Sequence, residues 1–121
     1  DKEIDLKAMV HITSGGFCNL NRVACDSIRF VIDRLQPVPE IFNLIQDRGG
    51  VSEAEMFEVF NMGTGFCLIV EGIKEVEAIS EICKKYDLPC QIIGQVEASQ
   101  DKEVSLPTKQ LIGKGSKFKV S

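Results

Sequence analysis

KAMVHITSGGF, residues 7–17, changes its hydrophobic period part-way along, and the fold assignment starts from that change. The apolar run in its first half predicts a strand over residues 7–12, and Gly15 and Gly16 form a turn that ends this strand. From Phe17 onward, apolar residues recur at helical spacing, which predicts a short helix. The chain therefore contains a strand, a glycine turn and a helix in direct succession.

The rest of the chain also alternates between strands and helices. Residues 28–33 place apolar side chains at every second position, as a half-buried strand does. Helices are predicted to start at Pro39 and at Glu53, and Ser52 opens the second of them with a capping box. The pair Gly49–Gly50 would end the first helix with a left-handed cap. The remaining predicted elements are a helix over 74–86 and strands over 66–70, 91–96, 103–106 and 117–120.

Burial is predicted from the same patterns. Phe66–Val70 is apolar at every position, which favours a strand covered on both faces at the centre of a sheet. Ser99–Lys102 is polar and is predicted to be a hairpin loop, whereas Lys117–Val120 alternates like an edge strand protected by lysines. The inward helix faces are predicted to contain Ile41, Phe42, Leu44 and Ile45, then Met56, Phe57, Val59 and Phe60, and then Val76, Ile79, Ile82 or Cys83, and Tyr86.

Strands and helices are interspersed without a strict βαβ rhythm, and no repeat or linker divides the chain. A length of 121 residues suits one domain. We therefore predict a single α/β (α+β) domain over residues 1–121, in which helices pack on one mixed or mostly antiparallel sheet.

Charge and hydropathy argue against two kinds of partner. The formal net charge is -4, with both signs mixed along the chain, so no basic surface for a nucleic-acid backbone is predicted. The longest apolar run, Phe66–Val70, is far shorter than the ~20 residues that span a membrane. We expect neither nucleic acid nor membrane as a partner.

The chain begins with Asp1 rather than Met, which favours a processed or truncated product.

The five cysteines are Cys18, Cys25, Cys67, Cys83 and Cys90. Their odd number and the lack of a C-x-x-C pair argue against a zinc site and a disulfide framework, and indicate a reducing cytoplasm. With one histidine and no acidic cluster at ligand spacing, no metal-binding residue is assigned. Cys18 lies beside the glycine turn, where the pattern favours a packed thiol over a nucleophile.

The turn from Thr13 to Gly16 is the first candidate binding site. Glycine lets the backbone approach a ligand closely, and the first N–H groups of the following helix would favour an anion such as phosphate. The hydroxyls of Thr13 and Ser14 would add donors. The alternative is a plain strand-to-helix turn in which one of these hydroxyls caps the helix, and the sequence alone leans toward that interpretation.

His11 is the only histidine and stands at the C-terminal end of the first strand. Sites in α/β sheets often lie beyond that end. His11 would act there as a general acid–base or as a hydrogen-bond donor to a polar substrate. A structural histidine with satisfied hydrogen bonds is the alternative, and the sequence favours it.

The turn from Asn61 to Gly65 is the second candidate. Gly63 and Gly65 permit a close approach, either of another backbone or of a ligand. Asn61 either caps the helix end or binds a substrate amide. A G-x-G pair alone is a weak signal, and no complete nucleotide-binding motif accompanies it.

In order and spacing, these segments resemble the AIR synthetases, the phosphoribosylformylglycinamidine cyclo-ligases of the AIR synthase-related superfamily, over residues 6–96. HITSGGF resembles the family's H-I-T-G-G-G motif. VID at 31–33, followed by PVPEIF at 37–42, resembles V-I-D…P-x-P-x-I-F. VSEAEMF at 51–57, followed by FNMGTG at 60–65, resembles V-x-x-x-E-M-x-x-x-F-N-M-G-x-G. The ordered set is specific, and it identifies the chain as a C-terminal domain of this family.

Two departures from the family pattern concern the first turn. Ser14 stands where the family usually has a glycine. A glutamate usually found after the glycine run is missing, whereas Asn19 and Arg22 keep the family's Asn and Arg. The anion-binding role of the turn therefore carries over, and any role of the missing acid does not. The tail after Ala98 matches no family motif.

The resemblance implies a partly ferredoxin-like sheet and an enzyme that uses ATP and Mg²⁺ to close the imidazole ring of formylglycinamidine ribonucleotide. ATP phosphorylates the amide oxygen, the neighbouring nitrogen attacks the activated carbon, and phosphate leaves. It also implies an N-terminal domain, absent here, that dimerises and supplies most ATP and metal ligands. This chain would form the opposite wall of the cleft, bind no cofactor alone and be inactive alone.

The resemblance also assigns roles to the candidate residues. His11 and Asn61 would face the reacting amide. Arg22 would screen charge or form a surface ion pair. The substrate or its ribose phosphate would be held by Thr13, Ser14, Gly15, Gly16, Asn19, Gly63 and Gly65.

Two other functions remain open from the sequence. In the first, the chain is a stand-alone protein that binds a nucleotide or phosphate without turnover, or that complements a separately encoded ATP-binding half. In the second, the chain is a kinase-like relative from the same superfamily. The P-x-P and F-N-M-G-x-G segments argue against this second function.

Overall fold

The α/β class is confirmed in a computed structural model that describes residues 6–120. Strands and helices follow one another as the sequence pattern predicts, but they form two sheets and not one. The elements in chain order are β1 (Leu6–His11), a 3-10 helix (Gly16–Arg22), β2 (Ile28–Ile32), α1 (Glu40–Gly49), α2 (Glu53–Val59), β3 (Phe66–Val70), α3 (Ile73–Lys85), β4 (Gly94–Ala98), β5 (Glu103–Leu106), a 3-10 turn (Pro107–Lys109), β6 (Leu111–Lys114) and β7 (Lys117–Val120). Within this part of the chain no helix has the length and apolar character needed to cross a membrane.

The larger sheet has five strands in the order β4-β2-β5-β6-β7. β2 pairs parallel with β5, and the other neighbours are antiparallel. Because β4 and β5 both pair with β2, the loop Ser99–Lys102 is not the hairpin loop that its polarity predicts. Polarity marks a loop but does not say which strands it joins, and here the buried residues Phe30 and Ile32 give β2 the inner position.

The smaller sheet is a two-stranded antiparallel ribbon of β1 and β3, and it corrects the prediction for Phe66–Val70. Val10 and Cys67 pair on one face and are buried. On the other face Met9 pairs with Leu68 and His11 with Phe66, and the Phe66 side chain is 55% exposed. An apolar run reports the character of the side chains, not whether anything covers them. β3 is therefore not a central strand in this structure.

The core lies between the five-stranded sheet, the first 3-10 helix and α2. The rings of Phe17 and Phe57 pack with their centroids 5.8 Å apart. Full burial of one large apolar side chain stabilises a fold by about 1.5–3 kcal/mol. The largest fully buried side chains are Phe17, Phe30, Phe57, Ile12, Leu20, Met56, Leu106 and Val104.

The helix boundaries follow the capping signals closely. Pro39 is the residue before α1 and not its first residue. Gly50 ends α1 in the left-handed conformation, with φ of 61°. The Ser52 hydroxyl accepts a hydrogen bond from the Glu55 N–H at 3.2 Å, as the capping-box prediction requires.

The helix faces are only partly as predicted. Met56, Phe57 and Ile79 are buried, whereas Tyr86 lies just beyond α3 and is 72% exposed. Periodicity identifies the apolar stripe of a helix. How much of that stripe is buried depends on how closely the helix packs on the rest of the domain. In α1 and α3 only a narrow part of the stripe is covered. The predicted inward residues that are exposed are Ile41, Leu44, Val59 and Tyr86.

The tail adds a hairpin to the sheet. β7 is an edge strand, as its alternating lysines predict. β6 was not predicted because four residues containing Gly113 carry too little pattern, and β4 lies three residues later than the predicted start at Gln91. The hairpin is tied to the first 3-10 helix because the Asn21 amide donates to the carbonyls of Gly113 and Gly115, at 3.3 and 3.1 Å.

Candidate functional site

The structure brings the two glycine turns to the same end of the β1–β3 ribbon. The Ile12 N–H donates to the Gly65 carbonyl at 2.9 Å, which extends the pairing beyond the last residues of the ladder. The His11 ring stacks on Phe66, with centroids 5.7 Å apart and an interplanar angle of 21°. The two motifs that sequence analysis singled out separately are therefore neighbours.

The first turn is held in a conformation that glycine favours. Gly15 and Gly16 have φ of 101° and 56°, and a Cβ at Gly16 would lie 1.9 Å from the Phe57 carbonyl oxygen. The Gly16 N–H donates to the Thr13 carbonyl at 2.9 Å. One N–H group of the turn is thus satisfied within the turn itself and is not directed at a ligand.

Asn19 supports this turn from the inside. Its side chain is buried, and its Nδ2 donates to the carbonyls of Thr13 and Ser14, at 3.2 Å each, and of Gly16, at 2.8 Å. An amide group has only two hydrogens, so these three acceptors share them. Asn19 therefore fixes the positions of Thr13 and Ser14, and its predicted contact with a ligand stays a prediction.

A groove of about 810 Å³ gathers four of the predicted residues, His11, Thr13, Asn19 and Arg22. It lies beside β1 and is closed on the other side by the first 3-10 helix and the loop that follows. Arg22 is exposed, and none of the carboxylates in residues 6–120 lies within ion-pair distance of it. Its guanidinium is therefore available to an anion in the groove.

Lys7 lines the same groove and was missed as a site residue. Its ammonium group lies 3.5 Å from the Glu71 carboxylate, and both side chains are well exposed. An exposed ion pair of this kind contributes little to stability. The signal in the sequence was a basic residue on the strand that ends at His11.

The second turn is stabilised by its own side chain. The Asn61 Oδ1 accepts a hydrogen bond from the Gly63 N–H at 2.8 Å, and the Asn61 carbonyl accepts one from the Thr64 N–H at 3.0 Å. Gly63 has φ of 93°, and a Cβ there would lie 2.5 Å from Cδ of Pro39. Asn61 thus closes the turn that follows α2, whose C-terminal cap residue is Phe60, and Gly63 is required by a close approach of the chain to Pro39.

Gly63 and Gly65 line a second groove, of about 880 Å³, along the β3 edge of the ribbon. Asn61 lines neither groove, and the same is true of Ser14, Gly15 and Gly16. Neither groove therefore contains both Asn61 and His11. The roles assigned to these residues stay predictions.

These contacts explain why the motifs occur together. Gly16 of the first turn packs against the backbone of Phe57, and Gly63 of the second packs against Pro39. Each motif is therefore the packing partner of another, and each glycine leaves room for a neighbouring segment. Part of the sequence pattern reflects the fold and not contact with a ligand.

Two cysteines near the site have unreactive environments. Burial, and to a lesser extent the Glu58 carboxylate, raise the pKa of the Cys18 thiol to about 11. Burial alone raises the pKa of Cys67 to about 11. Both thiols are protonated at neutral pH, and a thiolate is the form that acts as a nucleophile. Cys18 is therefore a packed thiol, the favoured interpretation of its sequence context.

Comparison with known proteins identifies the family to which these motifs belong. A family model described as AIR synthase related protein, C-terminal domain, matches residues 1–107. The match ends just before β6, so the hairpin of β6 and β7 lies outside it.

Three curated relatives are all named phosphoribosylformylglycinamidine cyclo-ligase. The protein of Methanococcus vannielii is 44% identical over 96 residues, which is 79% of this chain and 27% of that protein. The protein of Methanocaldococcus jannaschii is 44% identical over 97 residues, with coverage of 79% and 27%. The protein of Carboxydothermus hydrogenoformans is 37% identical over 100 residues, with coverage of 82% and 29%. The chain thus spans less than a third of the length of these relatives.

Proposed function

Because this chain belongs to the AIR synthase related protein family, as its C-terminal domain, we propose that it forms one wall of the substrate cleft of an ATP-dependent phosphoribosylformylglycinamidine cyclo-ligase in purine biosynthesis. The curated relatives bear that name. In this proposal the remainder of the enzyme supplies the ATP and Mg²⁺ ligands and the dimer contacts, the isolated chain is inactive, and the enzyme is cytoplasmic.

The groove beside β1 is the observation that carries the proposal. Arg22, Thr13 and His11 all line this space of about 810 Å³, and their side chains carry a guanidinium, a hydroxyl and an imidazole. A phosphate monoester offers three oxygens to such donors, and an arginine binds two of them at once. These groups suit the ribose phosphate of formylglycinamidine ribonucleotide, and they would orient the amide that reacts.

The described residues of this chain do not fit Mg²⁺. Across residues 6–120, no three His, Cys, Asp or Glu side chains are gathered at one point, whereas a divalent cation of this type needs oxygen ligands converging on it. We therefore assign the metal and the triphosphate of ATP to the remainder of the enzyme. The part played by this chain is to bind and orient the ribonucleotide and to exclude water from it.

The exposed face of the β1–β3 ribbon is where we propose that the ATP-binding domain packs. Met9, Phe66 and Leu68 are exposed there, and an apolar patch of this size on a sheet face is typical of an interface. His11 lies on the same face. Docking would therefore place His11 at the boundary between the two domains, which is where a shared cleft has to form.

Arg22→Ala is expected to weaken the binding of formylglycinamidine ribonucleotide about tenfold, because it removes a charged donor from the phosphate. Isothermal titration calorimetry of the ribonucleotide into the chain measures this, and a half-site should bind in the millimolar range. Arg48→Ala is the matched control, since Arg48 is exposed in the last turn of α1 and lines neither groove. Equal affinities for the two variants would contradict the assignment of the phosphate to this groove.

A further inference from the structure

Cys83 and Cys90 form a pair of thiols at the C-terminal end of α3, away from the groove of the proposed function. Both are free, Cys83 is half-buried and Cys90 is exposed. Burial, and then the neighbouring Cys90 thiol, raise the pKa of the Cys83 thiol, so the two side chains lie close together. Both residues line the larger groove along β3.

The backbone explains why these two residues meet. The Cys83 carbonyl accepts a hydrogen bond from the Leu88 N–H at 2.9 Å, and the Lys84 carbonyl accepts one from the Asp87 N–H at 3.2 Å. Asp87 adopts the left-handed conformation, with φ of 57°. This is the hydrogen-bonding pattern of a Schellman-type cap, which turns the chain back over the last turn of its helix. Cys90 follows that reversal by two residues, and it lines the same groove as Cys83.

The other cysteines differ from this pair in ways that supply internal controls. Cys18 and Cys67 are buried, and Cys25 is exposed but lines the other groove. Cys90 is exposed and Cys83 is half-buried, so Cys90 is the sulfur that a small disulfide reaches first. Cys90 is therefore the attacking sulfur and Cys83 the resolving one.

We propose that Cys83 and Cys90 are a redox-sensitive dithiol that closes to an intramolecular disulfide by exchange with a small disulfide such as oxidised glutathione. The Cys90 thiolate attacks one glutathione sulfur, a mixed disulfide forms, and one glutathione thiolate leaves. The Cys83 thiolate then attacks the Cys90 sulfur and releases the second glutathione. The two protein thiols lose two protons and two electrons in total, and the glutathione disulfide is reduced by two electrons.

The consequence concerns the position of α3. Ile79 is the one buried residue of this helix, so little of α3 is fixed by the core. A bond between Cys83 and Cys90 would tie the end of α3 to the segment that leads into β4, at the rim of the larger groove. It would also restrict the unfolded chain, which stabilises the folded state.

The test treats the reduced chain with oxidised glutathione at mildly alkaline pH, blocks the remaining thiols by alkylation, and maps the peptides by mass spectrometry without reduction. We expect the 83–90 disulfide as the main product and a glutathione adduct on Cys25. Cys83→Ser should trap a glutathione adduct on Cys90, because the resolving thiol is gone. Cys25→Ser is the matched control and should still form the 83–90 disulfide.

Thermal unfolding of the same samples supplies a second readout. Oxidation should raise the Tm of the wild-type chain and of Cys25→Ser by roughly 5 °C, and should leave Cys83→Ser and Cys90→Ser unchanged. Stable glutathione adducts on both Cys83 and Cys90 in the wild-type chain would overturn the proposal. So would a disulfide between Cys25 and Cys90 in equal yield, or recovery of both thiols in reduced form.

Discussion

Gly16→Ala is expected to lower the free energy of unfolding by about 4 kcal/mol, one of the largest effects a single methyl group can have. Two independent causes act at this position. The backbone has φ of 56°, which L-residues rarely adopt, and the added Cβ would lie 1.9 Å from the Phe57 carbonyl oxygen. The obstacle is helix backbone and not the end of a flexible side chain, so α2 itself has to move away from the first turn.

Gly50→Ala separates the two causes and is the matched control. Gly50 has nearly the same φ, 61°, but a Cβ there meets nothing within 4 Å. The Gly50→Ala variant should lose only about 1 kcal/mol of unfolding free energy, the cost of holding an alanine in the left-handed conformation. Urea unfolding of the two variants measures the difference. A loss at Gly16 no larger than that at Gly50 would show that the first turn does not pack on α2 as described.

Phe118→Ala is expected to lower the free energy of unfolding by about 3–5 kcal/mol, the usual range for a buried phenylalanine. Phe118 is 4% exposed, and a Cβ at Gly113 on the neighbouring strand would lie 2.7 Å from its ring. Its backbone N–H also donates to the Glu58 carboxylate at 2.9 Å, which joins β7 to α2. A residue outside the family match therefore belongs to the core of this chain.

Val120→Ala is the control for Phe118, since both residues lie on β7. Val120 is 78% exposed, and its loss should change the unfolding free energy by less than about 0.5 kcal/mol. Chemical denaturation of both variants gives the comparison. A loss below about 1 kcal/mol for Phe118→Ala would mean that the hairpin of β6 and β7 does not close the core.

The positions of most helices and strands could be predicted because periodicity and caps are local properties. Ser52 opens α2 and Gly50 ends α1, as their residue types predict. Strand pairing is not local, so the apolar run of β3 gave no sign that β1 is its one partner among residues 6–120. The exposed Tyr86 shows the same limit for a helix, because an apolar stripe does not record how far the helix lies from the sheet.

The candidate site was predictable in its parts but not in its arrangement. The sequence identified His11 and both glycine turns, and the structure places them at one end of the ribbon. It did not reveal that the Asn19 N–H groups bind backbone carbonyls, or that Gly63 makes room for Pro39. Such roles depend on segments distant in sequence. They separate residues that shape the turns from those, such as Arg22, that line the groove.

The most direct test of the proposed function joins this chain to the remainder of the Methanocaldococcus jannaschii cyclo-ligase, in place of the portion that it matches. Release of ADP is measured with ATP and formylglycinamidine ribonucleotide, for the chain alone and for the chimera. The account predicts no release by the chain alone, turnover by the chimera, and a lower rate with Arg22→Ala. Turnover by the chain alone would contradict the account, as would a folded chimera that binds ATP but releases no ADP when the ribonucleotide is added.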